Sequence, residues 1–141
     1  MGTRSAIVEK TDTGEFRGIY CHWDGYLSHN GRILLEHYTT PEKVSELISL
    51  GYISSLGNRI APEENEEHSY DVPVKDITVA YLRDRQEDPD EVSAIVGSTL
   101  EDVLGCIDYA YAYVFINNEW YLYDYEQTLI KLSEIDLDND E

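Results

Sequence analysis

The stretch YCHWDGYLSHNG, residues 20–31, gathers two histidines, an aspartate, a tryptophan, two tyrosines, an asparagine and two glycines into twelve positions. His22 and Asp24 are the residue types of a general acid–base pair, and His22, Asp24 and His29 could together hold a metal ion. Ligands at i, i+2 and i+7 match no strong metal signature, however, and no fourth ligand can be identified, so no metal and no cofactor is expected. Cys21 beside His22 is not a nucleophile–base pair, because neighbouring strand residues point to opposite faces. Ser5, Ser28, Ser54 and Ser55 lack the setting of a nucleophile elbow, and GNRIAP and GSTLED lack the spacing of a phosphate-cradling or dinucleotide loop. The same stretch also meets purely structural demands. Asp24-Gly25 can make a turn, Ser28 or Asn30 can cap a following helix, and Trp23 and Tyr26 can anchor a core. As a ligand site it would use Arg4, His22, Asp24, Tyr26 and Asn30. A nucleotide-type ligand would meet Arg4 or Arg32 through its phosphate and an aromatic ring through its base. A hydrolase built on His22 and Asp24 is the weakest reading of the three.

Charge points elsewhere in the chain. The net charge is -19 over 141 residues. Residues 1–60 carry six Lys/Arg and seven Asp/Glu, whereas residues 61–141 carry four and twenty-two. Direct contact with DNA or RNA is disfavoured, since phosphate would be repelled, while basic protein surfaces would be attracted. The runs EENEEHSYD (63–71) and RDRQEDPDE (83–91) supply the expected partner surface: Glu63, Glu64, Glu66, Glu67, Asp71, Asp84, Glu87, Asp88, Asp90 and Glu91. DLDND (136–140) spaces carboxylates as a calcium loop begins, but it lacks the central glycine and terminal glutamate and reads as a solvated tail.

Several elements must position these groups. SAIVEK and FRGIYCHW read as two strands joined at TDTGE; Phe16, Gly18, Tyr20 and His22 share one face, and Arg17, Ile19, Cys21 and Trp23 the other. NGRILLEHY reads as a short helix. In TTPEKVSELISLG, Thr40 caps a helix, Pro41 fits its first position, Val44, Leu47 and Ile48 make its apolar stripe, and Gly51 stops it. Residues 57–73 have no periodicity and read as a loop or partly disordered insertion. VKDITVAYLRD reads as a strand through Ile77, Val79 and Tyr81. STLEDVLGCI reads as a helix capped by Ser98, with Glu101 as the other half of a capping box. YAYAYVFI-NN-EWYLYDY is a hairpin in which Phe115 pairs with Trp120, Tyr113 with Leu122 and Val114 with Tyr121. TLIKL can pair or pack through Leu129, Ile130 and Leu132.

The fold class expected is α+β: one domain over residues 1–135 with an acidic tail at 136–141. Its antiparallel sheet has about five strands, with two or three short helices on one face. Twelve tyrosines against two phenylalanines place much of the aromatic area at the wet edge of that core. Cys21 and Cys106 fit no metal or disulfide spacing, and both are expected as buried reduced thiols. No h-region or long apolar run is visible, so the expected location is the cytoplasm.

The chain from TRSAIVEK through HWDGYLSHNG to LISLGYISSLG, with TVAYLRDR and YVFINNEWYLYDY further on, resembles a family of small phage, prophage and bacterial proteins. Its members open with a Thr-Arg-Ser strand, carry a His-Trp-Asp-Gly-Tyr block and end in a tyrosine-rich hairpin. The resemblance covers most of the chain, and its signature positions are Arg4, Ser5, His22, Trp23, Asp24, Gly25, Tyr26 and Gly31. Leu27 departs from the pattern, which has proline there. No activity comes with the resemblance, only a context: an acidic, non-enzymatic phage-type protein that blocks or sequesters a host factor, such as a nucleic-acid-binding defence protein, in the host cytoplasm. Under that reading the partner is a host protein with a basic surface, with a small nucleotide ligand as the alternative, no direct nucleic acid, no membrane, and room for a homo-oligomer.

Overall fold

The computed structural model describes residues 3–63, 65–85, 88, 92–124 and 126–137. Glu64, Glu87, Asp90, Glu91 and tail residues 138–141 lie outside the described residues. One sheet organises the chain: β1 (Ser5–Lys10), β2 (Phe16–Cys21), β3 (Ile53–Ser55), β4 (Val79–Ala80), β5 (Ile95–Gly97), β6 (Tyr111–Ile116), β7 (Glu119–Tyr123) and β8 (Leu129–Lys131). The order is β4-β3-β2-β1-β6-β7-β8, and β5 pairs β2. β1 and β2 are antiparallel, with Ser5 opposite Cys21 and Lys10 opposite Phe16. β1 and β6 run parallel at the centre, Ser5 opposite Tyr111 and Glu9 opposite Phe115.

Alternation along β1 and β6 explains why this sheet is covered on both sides. Ile7, Ile19, Cys21, Tyr113 and Phe115 face one core with α1 (Arg32–His37) and α2 (Pro41–Ser49). Ala6, Val8, Ala112 and Val114 face a second core with α4 (Leu100–Leu104). Near-continuous apolar strands are what two-sided burial requires. Gly18 lets α4 approach β2, for a Cβ there would lie 2.7 Å from Val103 Cγ1.

The α+β class and the hairpin register hold: Phe115 pairs with Trp120, Tyr113 with Leu122 and Val114 with Tyr121. Asn117 and Asn118 adopt φ of 52° and 65°, the left-handed pair such a two-residue turn needs. Thr40 Oγ1 accepts from Lys43 N, Pro41 opens α2, and Gly51 ends it at φ 82°. The antiparallel five-strand sheet with helices on one face is corrected. Eight strands form a mixed sheet, and α4 lies on the face opposite α1 and α2. The parallel β1–β6 pair joins residues about a hundred positions apart, and several added strands are two or three residues long, too short to show a period of two.

Three local expectations shift. The strand over VKDITVAYLRD shrinks to Val79–Ala80, because Tyr81–Arg85 turns into the short helix α3. Thr99, not Ser98, caps α4, its hydroxyl accepting from Asp102 N. Cys106 is exposed, while Cys21 is buried, and both are free thiols.

Candidate functional site

Residues 22–31 split into two environments. In the first, Asp24 sits at φ 57°, and Gly25 is pressed against β1. A Cβ on Gly25 would come within 2.7 Å of Ser5 Cβ and 2.8 Å of Thr3 O. Gly25 N–H donates to Thr3 O (2.8 Å), and the Tyr113 hydroxyl donates to Gly25 O (2.6 Å). Asn30 does not cap α1, whose N-terminus has no side-chain cap. It is fully buried in a single π-helical turn, Leu27–Gly31. Its Nδ2 donates to Ser5 Oγ (3.1 Å) and Cys21 Sγ (3.3 Å). Its Oδ1 accepts from His29 Nδ1 (2.9 Å), which fixes the proton of His29 on that nitrogen. Tyr26 reaches Asp24 Oδ1 at 3.3 Å. Burial, opposed by the Asn30 hydrogen bond, pushes the Cys21 thiol up to about 11. Asp24, Tyr26 and Asn30 thus belong to a hydrogen-bonded corner that locks the end of β2 to β1, and Asn30 has no surface to offer a ligand.

The second environment lies on the α4 face. There Arg4 Nη1 donates to Asp108 Oδ2 (2.7 Å), and the Arg4 charge acts on the Tyr20 hydroxyl, opposing the effect of its burial. The Tyr20 hydroxyl and His22 Nδ1 share a hydrogen bond of 2.6 Å. A carboxylate–guanidinium pair and a phenol–imidazole pair thus lie next to each other in a line. Trp23, 41% exposed rather than a core anchor, meets the His22 ring edge-on at 4.7 Å. Arg4 and His22 are therefore the two expected ligand residues that the fold brings together, through Tyr20.

Beside this line opens a cavity of about 370 Å³ lined by Tyr20, Tyr52, Tyr81, Val92, Cys106, Ile107 and Asp108. The Tyr20 and Tyr52 rings lie 5.7 Å apart, and Tyr81 N–H donates to Tyr52 O. Burial raises the hydroxyls of Tyr20, Tyr52 and Tyr81 above the ordinary phenol range, so all three are neutral at physiological pH. The Cys106 thiol faces the Asp102 carbonyl at 3.5 Å. These are the groups of a binding wall: polar tips, π faces and aliphatic carbon. Sequence reasoning passed over Tyr52, Tyr81, Cys106 and Asp108 because they come from separate segments with no shared motif.

The acidic run at 63–71 is held down by a clamp. Arg59 forks onto both Glu66 oxygens (2.9 and 3.0 Å), and Glu63 N–H donates to Glu66 Oε1. His68 has a fully buried side chain; Val74 N–H donates to its Nδ1 (3.0 Å), leaving Nε2–H to donate to Asp84 Oδ2 (3.2 Å). Asp84, 4% exposed, also accepts from Arg83 and from Ala80 N–H (2.8 Å). Burial alone would raise its carboxyl, but the Arg83 and Ala80 hydrogen bonds with the charge of Arg83 outweigh it and lower it. Glu66 and Asp84 are thereby used inside the protein. Glu63, Glu67, Asp71 and Asp88 remain exposed. A second, wider groove of about 1170 Å³ at the far end of the β1–β2 hairpin adds Asp12, Glu15 and Glu42 to the acidic surface.

Among the described residues no group of three or more His, Cys, Asp or Glu side chains could hold a metal ion, and no helix is long and apolar enough to cross a membrane. No family model, no curated protein and no solved structure matches the chain.

Proposed function

We propose that this protein is a non-enzymatic acidic binding protein whose partner is a protein with a basic surface. The observation that carries the reading is how six of the ten basic side chains are spent. Arg4, Arg17, Arg32, Arg59 and Arg83 all pair with carboxylates of the same chain. Lys43 is turned onto the carbonyls of His37 and Asn58 and the Tyr38 ring. Among the described side chains that leaves Lys10, Lys75 and Lys131 against the exposed carboxylates of a chain at -19, so the outer field is negative and steers basic partners. The resemblance to phage and prophage proteins supports a host factor as that partner, with the consequence of blocking or sequestering it. Capture from a bacterial lysate should retain a basic protein at about 0.05 M salt and release it by about 0.5 M. The variant Glu63→Gln, Glu67→Gln, Asp71→Asn, Asp88→Asn should lose it. An empty column, or retention indifferent to these substitutions, would sink the proposal.

The tyrosine-lined cavity favours a second reading, a small-molecule site. The Arg4 guanidinium, expected to meet a phosphate, is instead held by Asp108, which counts against a nucleotide. Stabilisation of the protein by a small ligand, lost when Tyr52 and Tyr81 are replaced, is the test of this reading.

A further inference from the structure

We infer that the cavity between Tyr20, Tyr52, Tyr81 and Asp108 is a site for a small alkylammonium cation. The inference rests on the small-ligand reading and supplies its ligand class. Three phenol rings from β2, the segment before β3 and the start of α3 line one concavity of about 370 Å³, within the range of small-molecule sites. Tyrosine faces carry the negative end of the ring quadrupole and attract cations, most strongly those that shed water easily. A quaternary or tertiary alkylammonium does so, and its methyl groups suit Val92 and Ile107, which form the aliphatic part of the wall. Asp108 adds a carboxylate at the same wall, with 74% of its side chain exposed. The Arg4 guanidinium is paired with it at 2.7 Å, so the two charges cancel and the pair brings no net positive charge to the opening. The field of a chain at -19 raises the local concentration of cations and lowers that of phosphates and carboxylates. Ring faces, aliphatic wall and outer field all favour one ligand type.

Cys106 makes the proposal testable. It lies on the cavity wall and is exposed, whereas the other cysteine, Cys21, is fully buried. An uncharged thiol reagent such as N-ethylmaleimide will therefore label Cys106, and an occupant will slow it. The probes are choline, its neutral isostere 3,3-dimethyl-1-butanol, and AMP, at ionic strength matched with sodium chloride. Choline should protect Cys106, with the neutral isostere needing at least about fivefold more for equal protection, the factor a cation–π contact supplies. Tyr52→Leu with Tyr81→Leu should abolish the protection. Asp108→Asn removes the partner of Arg4 and leaves the guanidinium charge at the opening, so it should weaken the protection. Equal protection by choline and its isostere would leave a ligand site but overturn the cation. Protection by AMP in place of choline would also overturn it. No protection by any probe would overturn both the cation and the small-ligand reading.

Discussion

Asn30 shows how one residue can resemble a ligand group and be a structural one. Its amide is fully enclosed and joins the Ser5 hydroxyl, the Cys21 thiol and the His29 ring. Asn30→Ala would leave the polar groups of Ser5 and His29 without their partner and should destabilise the fold by about 2 kcal/mol in urea denaturation. Gly25 is constrained more harshly, since a methyl there meets β1 backbone and side chain below 3 Å. Gly25→Ala should cost about 1–3 kcal/mol by the same measurement. Asn30→Asp, close to it in size, would still put a buried charge among these partners and should not rescue the fold. Composition marked residues 20–31 as special, but not which side chains were already satisfied. That depended on Ser5 and Tyr113, which lie far off in the chain.

Elements with a local cause were legible, and elements made by distant pairing were not. The Asn117-Asn118 turn is local: both residues have positive φ, so Asn118→Ala should cost about 1–2 kcal/mol. Asn118→Gly should be neutral or stabilising; equal melting temperatures for the Ala and Gly variants would contradict this. The segment at 57–78 is the opposite case. Residues 57–73 read as a loop and 74–78 as the start of a strand, yet the segment contains no helix or named strand among its described residues, only an isolated bridge between Arg59 and Ile77. It is nevertheless fastened by Arg59–Glu66 and by His68–Asp84–Arg83. Asp84→Ala would strand the Arg83 guanidinium, whose other bonds go to the carbonyls of Ile60 and Thr78. The expected loss is about 3 kcal/mol, together with faster proteolysis within 57–78. Unchanged cleavage there would show that the clamp does not hold the segment.

At the scale of the whole molecule, stability should fall at alkaline pH. Burial pushes the Cys21 thiol up to about 11 and the Tyr38 hydroxyl up to about 12. Each folded-state value is raised, so the folded chain keeps protons that the unfolded chain releases. This contribution is fully present below about pH 9 and is lost as pH rises through the folded values. For Cys21 the loss is on the order of 2–3 kcal/mol between about pH 9 and 11. In Cys21→Ala, urea denaturation as a function of pH should show a shallower decline over that interval; an identical decline would exclude the thiol as its cause. Asp84 acts at the other end: its lowered carboxyl contributes stability above the ordinary aspartate range that is lost as pH falls through the folded value. The sequence by itself determined the acidic balance, the α+β class, the α2 helix with its Thr40 cap, and the register of the β6–β7 hairpin. All of these follow from composition or from contacts within a few residues. Only the tertiary structure decided the parallel β1–β6 pair and the two-sided core. It also separated Asn30 from Arg4 and His22, and gathered Tyr20, Tyr52, Tyr81 and Asp108 around one cavity. Those outcomes join residues up to about a hundred positions apart, and loop closure over such distances leaves no periodic trace in the chain.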